Sequence, residues 1–432
     1  MNSVFFHIDV NSAFLSWTAA YQLQQGAKLD IRTISSVIGG SEETRHGIVL
    51  AKSIAAKKYG IKTGMSLMEA RKLAGNDLLV IPPTYGLYAR ASKAFMDLLG
   101  NYSPNIYKFS IDEAFLDYTG MERLFGDPVK CAYRIKDEIK TKLGFTVNIG
   151  VSTNKLLAKM AGELKKPDMV HTIWPWEVKK KMWPLPIGEL YMVGRRMNFH
   201  FKRKGILTIG DLAKTPIDQL HYYFKSNGVL LWQYANGEYI DEDKGGSASF
   251  QGMMTPAPKN KVKGVGNSGT MPVDITELEV AHQALMSLCE TVGYRLRKGG
   301  YRGRVVYVGY RTNELKHIGK QRKFGLHTNT TSDLYIHVCQ LFDELWDGEQ
   351  HIRQLGIRVT DLIQTNEVQA SFFESIQEKI NKQQIDSVVD NVRQRYGNDA
   401  LLRGKLYQAK MDPMIGGTFG LASHRPTDGL PI

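Results

Sequence analysis

Cysteine is scarce in this chain, and its few cysteines lie far apart. Only Cys131, Cys289 and Cys339 occur among 432 residues, and they form no CxxC pair. That spacing excludes a disulfide framework and a cysteine-based zinc site. We interpret the three as small core residues.

Long apolar runs, targeting signals and several catalytic motifs are missing as well. No run reaches the roughly 18 apolar residues of a membrane-spanning helix, and the start, MNSVFFHIDV, lacks the basic segment of a secretion signal. We therefore expect a cytoplasmic protein with no membrane partner. Walker A, HExxH and zinc-ligand spacings are absent. GVGNSG (264–269) matches the GxGxxG dinucleotide pattern, but it follows a lysine-rich linker rather than a strand, so we interpret it as a coincidence.

Positive charge, by contrast, is in excess. The 56 Lys and Arg against 43 Asp and Glu leave a net charge of +13, which favours a polyanionic partner, nucleic acid before membrane. Between Arg295 and Lys323 the chain has ten basic residues and one acid, Glu314. The ten are Arg295, Arg297, Lys298, Arg302, Arg304, Arg311, Lys316, Lys320, Arg322 and Lys323. This stretch predicts a surface for a phosphate backbone, and a merely solvated face is the alternative.

The hydrophobic pattern predicts several α+β units. VFFHIDV (4–10) indicates a buried strand, and the residues up to Gly26 indicate a helix. Further strands are predicted at 108–118 (KFSIDEAFLDY) and 145–151 (FTVNIGV), alternating with helices on one sheet. A stretch rich in acidic residues, Gly and Ser (239–252) is typical of a linker. Beyond it, residues 263–362 predict a sheet with two helices, and 373–396 one or two amphipathic helices.

Two adjacent carboxylates, Asp112 and Glu113, interrupt the apolar strand predicted at 108–118. A carboxylate among apolar neighbours is costly unless something positive lies beside it. Asp9 would join them if its strand were a neighbour, and three oxygen donors without nearby His or Cys suit Mg²⁺ or Mn²⁺. Because adjacent strand residues point to opposite faces, a shared site requires a turn or bulge here. The alternative is that these carboxylates pair with a lysine or cap a turn.

Four stretches together resemble one protein family. HIDVNSAF (7–14), SIDEAFLDYTG (110–120), NIGVSTNKLLAKMAGELKKPD (148–168) and LTIGDLA (207–213) look, in this order and spacing, like the Y-family translesion DNA polymerases, and in particular the bacterial polymerase IV and polymerase V group. The likeness covers about residues 1–362. It implies an α+β multidomain fold shaped like a right hand. The parts are a palm (1–17 and 79–168), small fingers (18–78), a small helical thumb (169–240), a linker (241–262), an α+β little finger (263–362) and a C-terminal tail (363–432).

The resemblance implies template-directed, error-prone DNA synthesis across damaged bases. Asp9, Asp112 and Glu113, with the backbone carbonyl of Val10, match the family's ligands for two Mg²⁺ ions, which Mn²⁺ can replace. The implied partners are primer-template DNA and deoxynucleoside triphosphates, and the sequence leaves open whether an accessory subunit of the polymerase V kind is required.

Further residues match the family's nucleotide site. Phe14 matches the steric-gate aromatic, which excludes ribonucleotides; the alternative is an ordinary core aromatic of the first helix. Ser12 and Ala13 lie at the strand-to-helix turn, where backbone N–H groups would meet a triphosphate. Lys166 matches a family lysine that contacts the triphosphate.

Two stretches depart from the family pattern. Lys57 lies where many relatives carry an arginine that binds triphosphate, and Ile54 replaces the tyrosine of that Tyr-x-x-Arg pattern. Lysine offers a single point charge, whereas arginine can bind two phosphate oxygens at once. The segment 191–206 resembles a DNA-binding helix-hairpin-helix. It has Arg195 and Arg196 where relatives often continue a Gly-x-Gly.

The resemblance and the charge pattern also predict two contact surfaces. The predicted DNA contacts in the basic stretch are Arg302, Arg304, Arg322 and Lys323. Near the end, Gln369, Phe372 and Phe373 within QASFFES resemble the peptide by which bacterial polymerases hold the sliding clamp. The alternative is that these phenylalanines start a packed amphipathic helix.

Two other function classes remain open at this point. A nucleotidyl cyclase on a similar palm would make a cyclic product without a primer, and the basic stretch argues against it. A non-catalytic DNA-binding accessory protein would bind DNA without extending it, which the retained carboxylates and Phe14 argue against.

Overall fold

The computed structural model describes residues 3–40, 47–239, 262–364, 376–407 and 414. Backbone contacts divide the chain into two compact units, one built mainly from residues up to 239 and the other mainly from residues after 262. Among the described residues, none of the helices is both long enough and apolar enough to cross a membrane.

The described elements include both strands and helices. The strands are β1 Phe5–Val10, β2 Ser36–Gly39, β3 Val49–Lys52, β4 Leu79–Ile81, β5 Ile106–Lys108, β6 Glu113–Asp117, β7 Val147–Ser152, β8 Val170–Thr172, β9 Gly264–Ile275, β10 Tyr301–Thr312, β11 His317–Thr328 and β12 Ile352–Gln364. The helices are α1 Ala13–Gln24, α2 Ile54–Lys58, α3 Leu67–Ala74, α4 Tyr85–Leu99, α5 Glu122–Phe125, α6 Pro128–Leu143, α7 Lys155–Glu163, α8 Arg195–Arg203, α9 Ile209–Lys214, α10 Ile217–Ala235, α11 Leu278–Lys298, α12 Thr331–Asp343, α13 Ile376–Tyr396 and α14 Gly404–Tyr407.

The first unit is organised by a five-stranded sheet in the order β5-β6-β1-β7-β8. β1 is central and antiparallel to both β6 and β7. Its alternation sends Phe6, Ile8 and Val10 into a core shared with α4 and α6. His7 and Asp9 consequently lie on the opposite face.

Helix α7 covers that opposite face, and glycines allow it to lie very close to β7. A Cβ added at Gly150 would be 1.9 Å from the carbonyl oxygen of Ala158 and 2.3 Å from the nitrogen of Gly162. Side chains of α7 then share a second core with α8, α9 and α10, which includes Leu157 and Tyr234. α7 therefore holds the central strands from the side on which Asp9 lies.

A smaller sheet in the order β3-β2-β4 packs against α1. Its core consists of small and branched side chains, such as Leu15, Ile38 and Ala51. The strand β3 leads into the short helices α2 and α3.

The second unit has an antiparallel sheet in the order β11-β10-β12-β9, with α11 and α12 on one face. The predicted sheet with two helices is present, but β11 was not predicted. GVGNSG lies within β9 and does not open a helix, which agrees with its interpretation as a coincidence.

Helix α13 is attached to the second unit by buried charges. Glu290 of α11, whose side chain is 1% exposed, accepts hydrogen bonds from Arg393 (2.6 Å) and from Arg403. Asp386 of α13 accepts hydrogen bonds from Arg403 (2.8 Å) and Arg297 (3.1 Å). The helix predicted near 373–396 thus packs through its charged face.

Candidate active site

The carboxylates Asp9 and Glu113 meet across two neighbouring strands. In the β1–β6 ladder Asp9 is directly opposite Glu113, and the backbone N–H of Val10 donates to the carbonyl of Asp112 at 3.1 Å. Residues paired in this way have Cβ atoms about 5 Å apart. The backbone therefore brings all three acidic residues to one end of the sheet.

The strand predicted at 108–118 is wrong as a single strand, because the chain turns in its middle. β5 ends at Lys108 and β6 begins at Glu113. The N–H groups of Phe109 and Ser110 both donate to the carbonyl of Glu113, at 3.0 and 3.1 Å. The Ser110 hydroxyl also donates to the Asp112 carboxylate at 2.6 Å, a local bond that favours turns over strands. The turn supplies the break that a shared site for Asp112 and Glu113 requires.

Lysines and a histidine accompany two of the three carboxylates. Lys166 pairs with Asp9, and also with Glu163 at 2.8 Å. Lys159 lies 2.5 Å and His7 3.0 Å from Glu113. The pairing with lysine that the sequence left as an alternative is therefore present.

Burial and these neighbours shift the acidities in opposite directions. Burial raises the pKa of Asp9 to about 6, although Lys166 opposes the shift. Burial also acts to raise the pKa of Glu113, but His7 and Lys159 outweigh it and lower that pKa to about 2. Burial lowers the pKa of His7, although the hydrogen bond to Glu113 opposes the shift.

The candidate ligand atoms are oxygens, the type of ligand that hard divalent cations bind. Asp9, Asp112 and Glu113 offer carboxylate oxygens and Val10 a carbonyl, the ligands that Mg²⁺ and Mn²⁺ prefer. In the part of the chain that the structure describes, no three His, Cys, Asp or Glu side chains converge tightly enough to hold a metal ion. The backbone thus brings the donors to one edge, while their side chains contact Ser110, His7 and lysines.

Comparison with known proteins identifies the family. The family model described as impB/mucB/samB matches residues 8–163, and the model of that family's C-terminal domain matches residues 262–372. DNA polymerase IV of Clostridium acetobutylicum is 43% identical over 412 residues, 94% of this chain and 99% of that protein. DNA polymerase IV of Acetivibrio thermocellus is 34% identical over 94% of this chain and 98% of that protein. The chain belongs to the Y-family of DNA polymerases.

The polymerase also shares its fold with a solved structure of the family. A Y-family DNA polymerase chimera, Dbh-Dpo4(243-245)-Dbh, aligns with a TM-score of 0.69 and 22% identity, covering 84% of this chain and 100% of that one. Y-family enzymes are DNA-directed DNA polymerases that perform translesion synthesis with divalent metal ions. The predicted family, α+β multidomain fold and enzyme class are confirmed.

Three of the predicted nucleotide-binding residues of the polymerase lie at the start of α1. Ser12 is exposed, with φ 49° and ψ 51°, directly before the helix, and Ala13 is buried. Phe14 is half-buried and stacks on Tyr88, with ring centroids 4.4 Å apart, and its edge meets Tyr85 at 6.3 Å. The ring of Phe14 is therefore held in one orientation by other aromatic rings.

The short helix α2 of the polymerase brings two lysines near each other. Lys57 is exposed on α2, which begins where the Ser53 hydroxyl accepts a bond from Ala56. Burial and the charge of Lys57 lower the pKa of Lys52, at the end of β3. Lys52 was missed at the sequence level, because it lies outside the family's Tyr-x-x-Arg pattern.

In the polymerase's helical region, a tight hairpin precedes α8. Arg195 and Arg196 are the first two residues of α8 and are exposed. Met192 in the preceding loop has φ 72°, a conformation that glycine adopts more readily. A helix-hairpin-helix arrangement can therefore form here despite the missing Gly-x-Gly.

The basic stretch of the polymerase does not form one continuous surface. Arg302 is only 7% exposed, and Arg304 pairs with Asp361 at 2.6 Å. Arg322 pairs with Glu344 at 2.7 Å. Arg302 is thus largely buried and Arg304 is paired with a carboxylate, and contact of the two with a phosphate backbone stays a prediction.

Strand alternation separates the neighbours Arg322 and Lys323 of β11. Arg322 lies opposite Val306, whose side chain enters the core with α11 and α12, whereas Lys323 lies opposite Val305 on the helix-free face. That face also carries Tyr307, with the guanidinium of Arg358 5.3 Å from its ring centre. Arg358 was missed at the sequence level, because the pairing partner of β12 cannot be read from one strand alone.

Glycines flatten this helix-free face. A Cβ at Gly309 or Gly319 would come within 2.4 or 2.2 Å of the Tyr307 hydroxyl, so the tyrosine ring lies along the sheet. The predicted clamp-binding residues Gln369, Phe372 and Phe373 lie outside the described residues.

Proposed function

We propose that Asp9, Asp112 and Glu113, with the carbonyl of Val10, hold two divalent cations, Mg²⁺ or Mn²⁺, during nucleotidyl transfer. The observation that carries the proposal is the direct pairing of Asp9 with Glu113, next to the Val10–Asp112 backbone bond. When bound, such ions activate the primer 3′-hydroxyl and stabilise the departing pyrophosphate. The chain itself supplies the carboxylates of Asp9 and Glu113 from paired strands and that of Asp112 from the turn before β6, and this backbone holds the donors in place.

Residues beside the carboxylates bind the incoming nucleotide. Lys166 contacts Asp9 and Glu163 near the end of α7, and its ammonium is well placed to contact a triphosphate. Ser12 and Ala13 offer backbone N–H groups where α1 begins, and Lys57 adds a positive charge from α2. Phe14, held against Tyr88, excludes a ribose 2′-hydroxyl by contact.

The DNA is held by basic and flat surfaces on separate parts of the chain. Arg195 and Arg196 at the start of α8 contact phosphates of the duplex. Lys323 and Arg358 on the helix-free face of the second unit contact the DNA backbone, because this face is glycine-rich and basic.

The same elements support the proposed division into palm, fingers, thumb and little finger. The five-stranded sheet supports the palm at 1–17 and 79–168, although β8 lies just beyond residue 168. The small β3-β2-β4 sheet supports the fingers at 18–78, helices α8–α10 the thumb at 169–240, and β9–β12 the little finger at 263–362. The linker (241–262) and the tail (363–432) complete the division.

Further partners belong to the same proposal. The peptide 369–373 would hold a sliding clamp, and an accessory subunit of the polymerase V kind is a further candidate partner. Since the substrate is DNA, we infer that the enzyme acts in the cytoplasm.

One experiment separates polymerase activity from the other classes. The protein is incubated with a primed template and each deoxynucleotide, with and without Mg²⁺, and the products are analysed for primer extension and for cyclic nucleotide. We expect extension that requires metal and is lost in Asp9→Asn and Asp112→Asn. Asp117→Asn, at the other end of β6, is the matched control and should extend normally. Cyclic product, or extension that survives in both carboxylate variants, would contradict the proposal.

A further inference from the structure

Two buried polar side chains, His7 and Lys159, lie behind Glu113 and have no role in the proposed chemistry. His7 Nε2 is 3.0 Å and Lys159 Nζ is 2.5 Å from the same oxygen, Glu113 Oε2, and the two nitrogens are 3.3 Å apart. His7 is fully buried and Lys159 is 8% exposed. Both contacts are made to Oε2, so Oε1 is the oxygen that can turn to another ligand.

The surroundings of Lys159 direct its charge to Glu113. Its ammonium lies 4.7 Å from the ring centre of Phe109 and 5.6 Å from that of Tyr191. Aromatic faces attract a cation but cannot replace the strong hydrogen bonds of water. Glu113 is therefore the anionic partner that compensates the burial of Lys159.

Backbone packing fixes both side chains. The close approach of α7 to β7 at Gly150 places Lys159 beneath β1 and β6. A Cβ at Gly162 would be 3.1 Å from His7 Nδ1, and the Phe115 ring centre is 4.9 Å from that of His7. The imidazole is thereby confined to one orientation.

His7 forms fewer hydrogen bonds than expected for a buried side chain whose role is only to stabilise the fold. A carboxylate only accepts, so the proton that His7 donates to Glu113 is on Nε2. Nδ1 is buried and has no hydrogen-bond partner among the described residues. A buried unpaired nitrogen is destabilising, so the contact with Glu113 is the feature that accounts for a histidine here.

We infer that Lys159 and His7 are positioning residues, which hold Glu113 Oε2 so that Oε1 is presented to the divalent cation of the proposed active site. This inference rests on the proposed function and adds the residues that act through Glu113. Partners that orient a metal ligand in this way typically change metal affinity by about 10- to 100-fold when they are removed. Lys159→Met keeps the aliphatic stem without the charge, and His7→Phe keeps the ring shape without the donor.

The test measures metal binding directly. Full-length protein on a dideoxy-terminated primer-template with the next deoxynucleotide is titrated with Mn²⁺, and free Mn²⁺ is followed by electron paramagnetic resonance. We expect the Mn²⁺ dissociation constant to rise by about 10- to 100-fold in Lys159→Met and by a smaller factor in His7→Phe. His7→Gln, whose amide can donate at the place of Nε2, should recover most of the affinity, and so should Lys159→Arg.

A matched control lies one turn away on the same helix. Lys155 is also buried, with its ammonium 4.0 Å from the ring centre of Tyr107. Lys155→Met should leave Mn²⁺ affinity unchanged within about twofold, even if it lowers the melting temperature. In steady-state extension, high Mg²⁺ should restore the rate of Lys159→Met without changing KM for the nucleotide, which a general structural defect would not allow.

The outcomes also separate this inference from the proposed function. If Glu113→Gln loses Mn²⁺ affinity but Lys159→Met, shown by circular dichroism to be folded, binds Mn²⁺ like the wild type, the positioning role is wrong and the active site stands. If Glu113→Gln itself leaves Mn²⁺ binding and extension unchanged, the proposed active site fails. In the double variant Glu113→Gln/Lys159→Met, the second change should add no further loss of Mn²⁺ affinity.

Discussion

Replacing Gly150 by alanine should disturb both the fold and the active site, because α7 lies directly on β7 at this point. The added Cβ would be 1.9 Å from the carbonyl oxygen of Ala158, whereas contacts shorter than 3.0 Å essentially never occur. The helix must therefore move by about 1 Å. Overpacking of this kind costs about 1–3 kcal/mol, occasionally more. For a unit of this size we expect the melting temperature to fall by roughly 2–4 °C per kcal/mol.

The same movement displaces Lys159 and, through it, Glu113. A misplacement of about 1 Å at a catalytic group can lower the rate by about 100-fold. The assay combines thermal unfolding with single-turnover primer extension at saturating Mg²⁺. Gly86→Ala is the control, because no atom lies within 4 Å of its Cβ position and it is inside α4; there alanine should stabilise by up to about 1 kcal/mol. A Gly150→Ala protein with wild-type melting temperature and rate would refute the close packing of α7 on β7.

Three further predictions follow from the site and the surfaces. Phe14→Ala should incorporate ribonucleotides, measured as the ratio of kcat/KM for dNTP and NTP; unchanged sugar selection would remove Phe14 from the gate. Lys323→Ala should weaken DNA binding and reduce, by about one, the slope of the logarithm of the binding constant against the logarithm of the salt concentration. Arg322→Ala, on the other face of β11, should do neither. Equal effects of the two changes in fluorescence anisotropy titrations would contradict the assigned faces. Burial acts to raise the pKa of Asp168, but the lysines of α6 outweigh it and lower that pKa below its ordinary value of 3.8. The contacts of ionised Asp168 with these lysines therefore stabilise the fold above pH 3.8 and are lost as the pH falls. The free energy of unfolding of the wild type should exceed that of Asp168→Asn near neutral pH, and the difference should vanish in acid unfolding curves. A difference that persists at the lowest pH would argue against these contacts.

Much of the fold could be predicted from periodicity, and the exceptions have physical causes. β1, α4, α6 and β7 follow clear apolar patterns. The apolar pattern predicts one strand through the turn at 109–112 because Phe109 and Ile111 continue the alternation, and only the requirement for a shared carboxylate site indicates the turn. β11 was missed because it is an edge strand with a row of charged and polar residues, which is how edge strands avoid pairing with other chains. The pattern of β11 therefore resembles a solvated loop.

The acidic residues of the candidate active site could be predicted from the sequence, whereas the side chains that contact them could not. Asp9 and Glu113 stand out because a carboxylate in an apolar strand is destabilising unless a positive charge lies beside it. Lys159 lies in a motif that also reads as an ordinary amphipathic helix, and only the packing of α7 shows which carboxylate it contacts. Charge alone does not show exposure either, since burial in β10 leaves Arg302 of the basic stretch only 7% exposed, and its contact with DNA stays a prediction.

The most direct test of the account locates the cations themselves. Crystals of the protein with a dideoxy-terminated primer-template, the next deoxynucleotide and Mn²⁺ would give an anomalous signal from each bound ion. The account predicts Mn²⁺ peaks within coordination distance of carboxylate oxygens of Asp9, Asp112 and Glu113, with Lys159 still in contact with Glu113. A complex that extends primers in solution but binds its Mn²⁺ away from these three carboxylates would contradict it.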